Sequence, residues 1–182
     1  MEADRSMRER VLALVPQRRP FRFIDEILEL DEEHVVGVYR FRSDESFYAG
    51  HFPGLPVTPG VILIETMAQT GVVAFGLYLN LLRGKGERSI EDLVTLFTLA
   101  EQVEFGGVVC PGDLVRVAGQ KVYFRGNQLK VDCVMTRANG DEVCSGTLAG
   151  KGVPRDKFTG EKGRDRGHAP HAQDGSLQEE GL

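Results

Sequence analysis

The sequence predicts an α+β protein in which an antiparallel sheet wraps around one long, buried central helix. Three observations carry this. From Val61 to Leu79 the residues are apolar on every helical face, and the polar side chains are Glu65, Thr66, Gln69 and Thr70. A helix that is hydrophobic all round is either a membrane span or buried in a core. Glu65, Gln69 and two glycines make a span expensive, so a buried helix is expected. Two strand-like segments precede the run and four follow it, joined by turn signals. Something must cover the helix, and strands are what the chain offers.

The elements follow in order. Ser6–Val15 predicts a short helix with Ser6 as N-cap, Glu9 at the capping-box spacing, and Val11, Leu12, Leu14 and Val15 as its apolar positions. Pro16 ends it, and Gln17–Arg22 is a basic turn. Phe21–Leu30 reads as a first strand, Asp31–Glu33 as a turn, and His34–Phe41 as a second strand rich in β-branched and aromatic residues. Ser43–Gly50 is a loop holding Phe47 and Tyr48. Pro59 stands where the first turn of a helix tolerates its missing N–H, and the central helix follows. After the polar connection Asn80–Glu87, Ser89–Leu93 predicts one more helical turn. Thr95–Phe105, Asp113–Arg125, Gln128–Arg137 and Glu142–Lys151 then read as strands. Their joints are Pro111-Gly112, Gly126-Asn127 and Asn139-Gly140, the last being the strongest short hairpin signal.

At 182 residues the chain suffices for one domain with a sizeable core, placed at residues 1–153. Residues 154–182 are poor in apolar side chains and rich in glycine and charge, and predict a disordered tail. The net charge of −5 gives no global basic field, which argues against nucleic acid as a partner. Cys110, Cys133 and Cys144 form neither a CxxC pair nor an even disulfide framework; Cys133 and Cys144 fall in strands, as buried reduced thiols would. No apolar run of signal-peptide quality opens the chain, so a cytoplasmic location is expected. No cofactor is expected and no metal: His168 and His171 have a ligand spacing but stand without further ligands in the polar tail.

The stretch Gly50–Gln69, GHFPGLPVTPGVILIETMAQ, organises the rest. His51 and Glu65 are too far apart in sequence to share a helix face, so a loop folding back or a second copy of the chain must bring them together. The stretch resembles the active-site signature of the FabZ-type β-hydroxyacyl-[acyl-carrier-protein] dehydratases. Val15–Glu29 (VPQRRPFRFIDEILE) resembles that family's opening turn and strand, and Val109–Leu114 (VCPGDL) its Pro-Gly-Asp turn. The similarity covers about Leu14 to Gly150. It implies the hotdog fold, and a dehydratase of β-hydroxyacyl thioesters in fatty-acid or related biosynthesis.

The residue types suit that chemistry. Dehydration removes a weakly acidic proton α to the carbonyl and expels hydroxide. A neutral imidazole accepts such a proton near physiological pH, and a carboxyl group in a dry site stays protonated to donate to the leaving hydroxyl. The resemblance implies His51 as base, Glu65 as acid and the Gly60 N–H at the helix N-terminus as oxyanion donor. It also implies Val57 holding the His51 ring through its carbonyl, and Gln69 orienting Glu65 from one turn on. It implies a homodimer with shared active sites, or a trimer of dimers, and an acyl carrier protein or coenzyme A thioester as substrate partner. Phe47, Tyr48, Phe52 and Ala68 are the expected tunnel residues, Phe47 and Tyr48 being equally suited to the core. A bland alternative leaves Glu65 as a buried acid paired with Arg40 or Arg42.

One departure bears on the carrier. Where the family carries Lys and Arg around a strand Phe, this chain has Glu101–Gly107 (EQVEFGG), which repels an acidic carrier. Arg18, Arg19 and Arg22, with Arg83 and Lys85, are the remaining basic candidates for docking. Two other readings fit the same scaffold: a hotdog thioesterase, and a non-catalytic hotdog subunit or acyl-binding protein.

Overall fold

In a computed structural model, which describes residues 2–84 and 86–159, the chain forms a six-stranded antiparallel sheet curled around one central helix. The strands are β1 (Glu26–Leu30), β2 (His34–Arg40), β3 (Leu93–Glu104), β4 (Leu114–Arg125), β5 (Gln128–Arg137) and β6 (Glu142–Pro154), in the order β1-β2-β4-β5-β6-β3. A first helix, α1 (Arg5–Leu14), packs beside β1, and a short helix, Glu87–Glu91, precedes β3. The expected α+β architecture, with the hotdog arrangement, is the one the chain adopts.

The central helix runs Gly60–Leu82. It is long and apolar enough to cross a membrane, yet 67% of its most apolar window is buried inside the fold, which makes it a core helix. From Thr66 to Phe75 every residue is buried. Its inner face meets Val35 and Tyr39 of β2, Val117 of β4, Val131 and Cys133 of β5, and Leu148 of β6 within one apolar cluster. Glycines let the helix lie this close. A Cβ on Gly71 would stand 2.5 Å from the Cys133 sulfur, and one on Gly119 would stand 3.4 Å from the Gly71 Cα. The wider π-helical turn Gln69–Ala74 falls at this crossing. Burial pushes the Cys133 thiol up to about 12 and the Cys144 thiol to about 11, so both stay protonated at neutral pH.

Several boundaries differ from the sequence expectation. Asp4, rather than Ser6, is the N-cap of α1: its carboxylate accepts from the Met7 N–H at 2.8 Å. A carboxylate adds attraction to the helix dipole that a hydroxyl lacks. Glu9 pairs with Arg5 at 2.8 Å instead of closing a capping box. The first strand begins at Glu26 rather than Phe21, because the Phe21 carbonyl and the Phe23 N–H are taken by the Gln69 side chain. Gly126-Asn127, with φ of 53° and 66°, makes the tightest hairpin, two residues between Arg125 and Gln128; Asn139-Gly140 sits in a longer loop. β6 continues to Pro154, which pairs with Leu93, and Asp156–Thr159 form a helical turn, so the first residues of the expected tail are ordered elements. Residues 160–182, with His168 and His171, lie outside the described residues, as does Lys85.

Candidate active site

His51 follows a 3₁₀ turn, Ser46–Ala49, in a loop that doubles back before the central helix. Pro53, Pro56 and Pro59 fix φ along it, and Gly54 takes φ of 79° at the tip. The loop is laddered. Phe52 and Leu55 exchange backbone hydrogen bonds of 3.1 and 2.9 Å, and the Val57 N–H donates to the His51 carbonyl at 3.0 Å. The His51 ring returns the contact, with Nδ1 at 2.9 Å from the Val57 carbonyl oxygen. A carbonyl only accepts, so Nδ1 carries the hydrogen, and in the neutral ring Nε2 then presents its lone pair. Phe52 stacks on the ring at a centroid distance of 4.1 Å and lies otherwise at the surface.

Glu65 lies in the second turn of the central helix and is half-buried. Burial is the larger influence and raises its carboxyl above the ordinary 4.5, while the hydrogen bond from Gln69 pulls the other way. Gln69 is fully buried and makes three bonds. Its Nε2 donates to Glu65 Oε1 at 2.8 Å and to the Phe21 carbonyl at 2.9 Å, and its Oε1 accepts from the Phe23 N–H at 2.7 Å. Only this amide orientation satisfies all three partners. Arg40 and Arg42 do not pair with Glu65: Arg40 donates to the Gly112 carbonyl, and Arg42 pairs with Asp25 at 2.7 Å.

Gly60 opens the central helix. Of the first backbone donors, those of Ile62 and Leu63 reach the Pro59 carbonyl at 2.9 and 3.2 Å. The N–H groups of Gly60 and Val61 stand at the helix's open, positive end. The Phe105 ring packs against Gly60, where an added Cβ would meet it at 3.0 Å. Phe105 directly follows β3, and no local pattern could have placed it here.

The remaining expected residues divide. Tyr48 is buried and its hydroxyl lies 2.7 Å from the Thr58 hydroxyl. Phe47 packs edge-on against Tyr48 at 4.6 Å and joins the core, as does fully buried Ala68. Thr58 escaped the sequence reading: directly before Pro59 it looks like a helix cap, whereas its hydroxyl serves Tyr48. Arg18 and Arg22 turn partly inward. Arg18 donates to the carbonyls of Val15 and Gln17, and Arg22 donates to that of Leu12 at 2.9 Å, so both close the C-terminal end of α1. With Arg19 they still rim a concavity of about 330 Å³. Within one chain His51 and Glu65 do not hydrogen-bond each other; His51 is held by Val57 and Glu65 by Gln69.

Residues 15–147 match the FabA-like domain family. The chain is 33% identical over 141 residues to a 3-hydroxyacyl-[acyl-carrier-protein] dehydratase FabZ of Caldicellulosiruptor bescii, covering 77% of this chain and 94% of that protein. It is 38% identical over 152 residues to the protein of that name from Acidiphilium cryptum, covering 83% and 86%. The chain belongs to the FabZ-type hotdog dehydratase family. The fold agrees: the dehydratase heterocomplex ApeI:P of Xenorhabdus doucetiae superposes with a TM-score of 0.65 at 14% identity, over 81% of this chain and 93% of that one. In the Glu101–Gly107 segment Glu101 forms a surface ion pair, its carboxylate lying 3.0 Å from Lys130 Nζ. Glu104 carries the remaining acidic charge of that segment.

Proposed function

We propose that the protein dehydrates (3R)-hydroxyacyl thioesters, carried by an acyl carrier protein, to trans-2-enoyl thioesters in fatty-acid or related acyl-chain biosynthesis. The observation that carries the reading is the contact of His51 Nδ1 with the Val57 carbonyl at 2.9 Å. With Nδ1–H committed to the Val57 carbonyl, Nε2 is a base with a fixed direction. Glu65 is its complement, a carboxyl group that burial helps to keep protonated.

In the reaction Nε2 of His51 takes the proton from C2 of the acyl chain. The electron pair moves toward the thioester carbonyl, whose oxygen gains charge and faces the Gly60 N–H and the helix's positive end. The pair then forms the C2–C3 double bond as the C3–O bond breaks, and the Glu65 proton goes to the departing hydroxyl to give water. His51 is left protonated and Glu65 ionised, and proton exchange with solvent resets both. Each general acid–base group contributes about 10²–10⁴ in rate and the oxyanion donor about 10²–10³.

The working unit we infer is a homodimer in which His51 of one copy meets Glu65 of the other. β3 supports this. It is a twelve-residue edge strand with Leu96 and Phe97 exposed at 40% and 45%, and Val61 at the start of the central helix is 71% exposed. Such a long apolar edge invites pairing with a second copy. Carrier docking falls to the Arg18, Arg19 and Arg22 rim, which adjoins the Phe21–Phe23 segment tied by Gln69 to Glu65. The reduced, buried thiols suit a cytoplasmic site of action.

The test is turnover of a panel of β-hydroxyacyl groups on carrier protein and on coenzyme A, followed as enoyl product. His51→Ala and Glu65→Gln should abolish turnover in folded protein; undiminished rates in either sink the reading. Release of free thiol in place of enoyl product marks a thioesterase instead.

A further inference from the structure

We propose that the Tyr48–Thr58 hydroxyl pair is a positioning device for His51, closing the loop that carries the imidazole so that its Nε2 keeps one direction. The proposal rests on the dehydratase reading for its kinetic consequence, not for its geometry.

The loop is held by nested rungs. Phe52 pairs with Leu55 at its tip, His51 pairs with Val57 twice, through the backbone and through Nδ1, and Tyr48 pairs with Thr58 at its base. The first two rungs use backbone groups or the ring itself. The third is made of two side chains, 2.7 Å apart, at 7% and 4% exposure. Apolar side chains of like size would fill this space without any need to find each other. A pair of hydroxyls buried here must meet or leave two polar groups unsatisfied, so the bond fixes the separation of the loop's two ends.

Both ends are also anchored outward, which gives the rung leverage. The Tyr48 N–H donates to the Glu45 carbonyl at 3.1 Å, and the His51 N–H reaches the Phe47 carbonyl at 3.0 Å, so the 3₁₀ turn carries His51 directly. Tyr39 donates to the Glu45 carboxylate, which ties that turn to β2. On the other side the Thr58 N–H donates to the Val109 carbonyl at 2.8 Å, fixing it to the segment ahead of β4. Tyr48 and Thr58 thus join two anchored stems, with His51 hung between them and Val57 adjoining Thr58. The Val57 carbonyl is the acceptor that selects the ring tautomer. A shift of Thr58 moves that acceptor. Burial raises the Tyr48 phenol, so its hydroxyl stays protonated and able to donate across the working pH range.

The experiment uses full-length Tyr48→Phe, Thr58→Val, Thr58→Ser and the double variant Tyr48→Phe/Thr58→Val, each checked for native circular dichroism. Loss of either hydroxyl should lower kcat roughly tenfold with KM within about twofold, the size expected when a directional contact behind a catalytic group is lost. The double variant should fall no further than either single one, because both remove the same rung. Thr58→Ser keeps the hydroxyl and should retain kcat within about twofold. Imidazole ¹⁵N spectra, with the His51 signal identified by its loss in His51→Ala, should show the Nδ1–H tautomer in the parent protein and in Thr58→Ser, and a mixture in Thr58→Val. Unchanged kcat and an unchanged tautomer in Thr58→Val overturn the proposal, and so does a Thr58→Ser variant as impaired as Thr58→Val. If the spectra behave as expected but no hydroxyacyl thioester is turned over, the positioning role stands and the dehydratase reading falls.

Discussion

Replacing Gln69 with Met tests the link between the central helix and the segment ahead of β1. Met fills nearly the same volume but offers neither amide group. The Phe23 N–H, on a residue 1% exposed, loses its acceptor and keeps a desolvation cost of about 1–3 kcal/mol. The Phe21 carbonyl belongs to a residue 52% exposed, so water replaces part of its bond and the loss there is about 1 kcal/mol or less. Together the variant should lose roughly 1–4 kcal/mol, a sizeable share of the 5–15 kcal/mol of a typical domain. At about 2–4 °C per kcal/mol for a chain of this size, melting should fall by about 2–16 °C. The donor that lowers Glu65 also goes, so the Glu65 carboxyl should hold its proton to still higher pH. Guanidinium unfolding at pH 7 measures the stability, and the alkaline limb of the pH–rate profile reports on Glu65. A loss below about 0.5 kcal/mol would refute the reasoning, because the Phe21–Phe23 segment would then be held by its ring contacts alone.

Three further outcomes are expected. Glu65 has a folded-state pKa raised above 4.5, so the folded protein binds its proton more tightly than the unfolded chain does; stability should decline as pH rises from 4.5 through the raised value, and Glu65→Gln should flatten that slope in denaturant titrations. Gly71→Ala, whose Cβ would meet the Cys133 sulfur at 2.5 Å, should cost about 1–3 kcal/mol, whereas Gly76→Ala meets nothing nearer than the Leu129 methyl at 3.7 Å and should be neutral or stabilising by up to about 1 kcal/mol; parallel thermal melts decide. Leu96→Lys with Phe97→Lys on the β3 edge should give a monomer by light scattering and lose activity with it, while an intact oligomer places the interface elsewhere.

The fold was legible because its strongest signals are local. An apolar run longer than any strand demanded a buried helix, and in the structure Leu129, Val131, Cys133 and Met135 are the alternate residues of β5 buried against it. Turn chemistry was read less well. Asn139-Gly140 carries the stronger dipeptide signal, but Gly126-Asn127 makes the tighter hairpin, since strand register and not dipeptide preference sets loop length. The first strand began late for a related reason. Phe21 and Phe23 have strand propensity, yet a buried amide forty-six residues downstream of Phe23 competes for the same backbone groups.

The site divides along the same line. The sequence by itself determined the chemistry available: a lone His in a proline-fixed loop, an acid in an apolar helix, and a Gln one turn beyond it, all within one continuous stretch. Helical spacing sufficed to put Gln69 beside Glu65, because i and i+4 lie on one face of any helix. Beyond that helical pair, only the tertiary structure decided how those groups are held in place. The His51 tautomer depends on where the Val57 carbonyl points, the Glu65 carboxyl on how deeply the helix is covered, and the loop's closure on Tyr48 and Thr58 meeting across it. Such contacts depend on distances between groups that local periodicity does not encode. They exist only once the sheet has closed over the helix and the loop has folded back on itself.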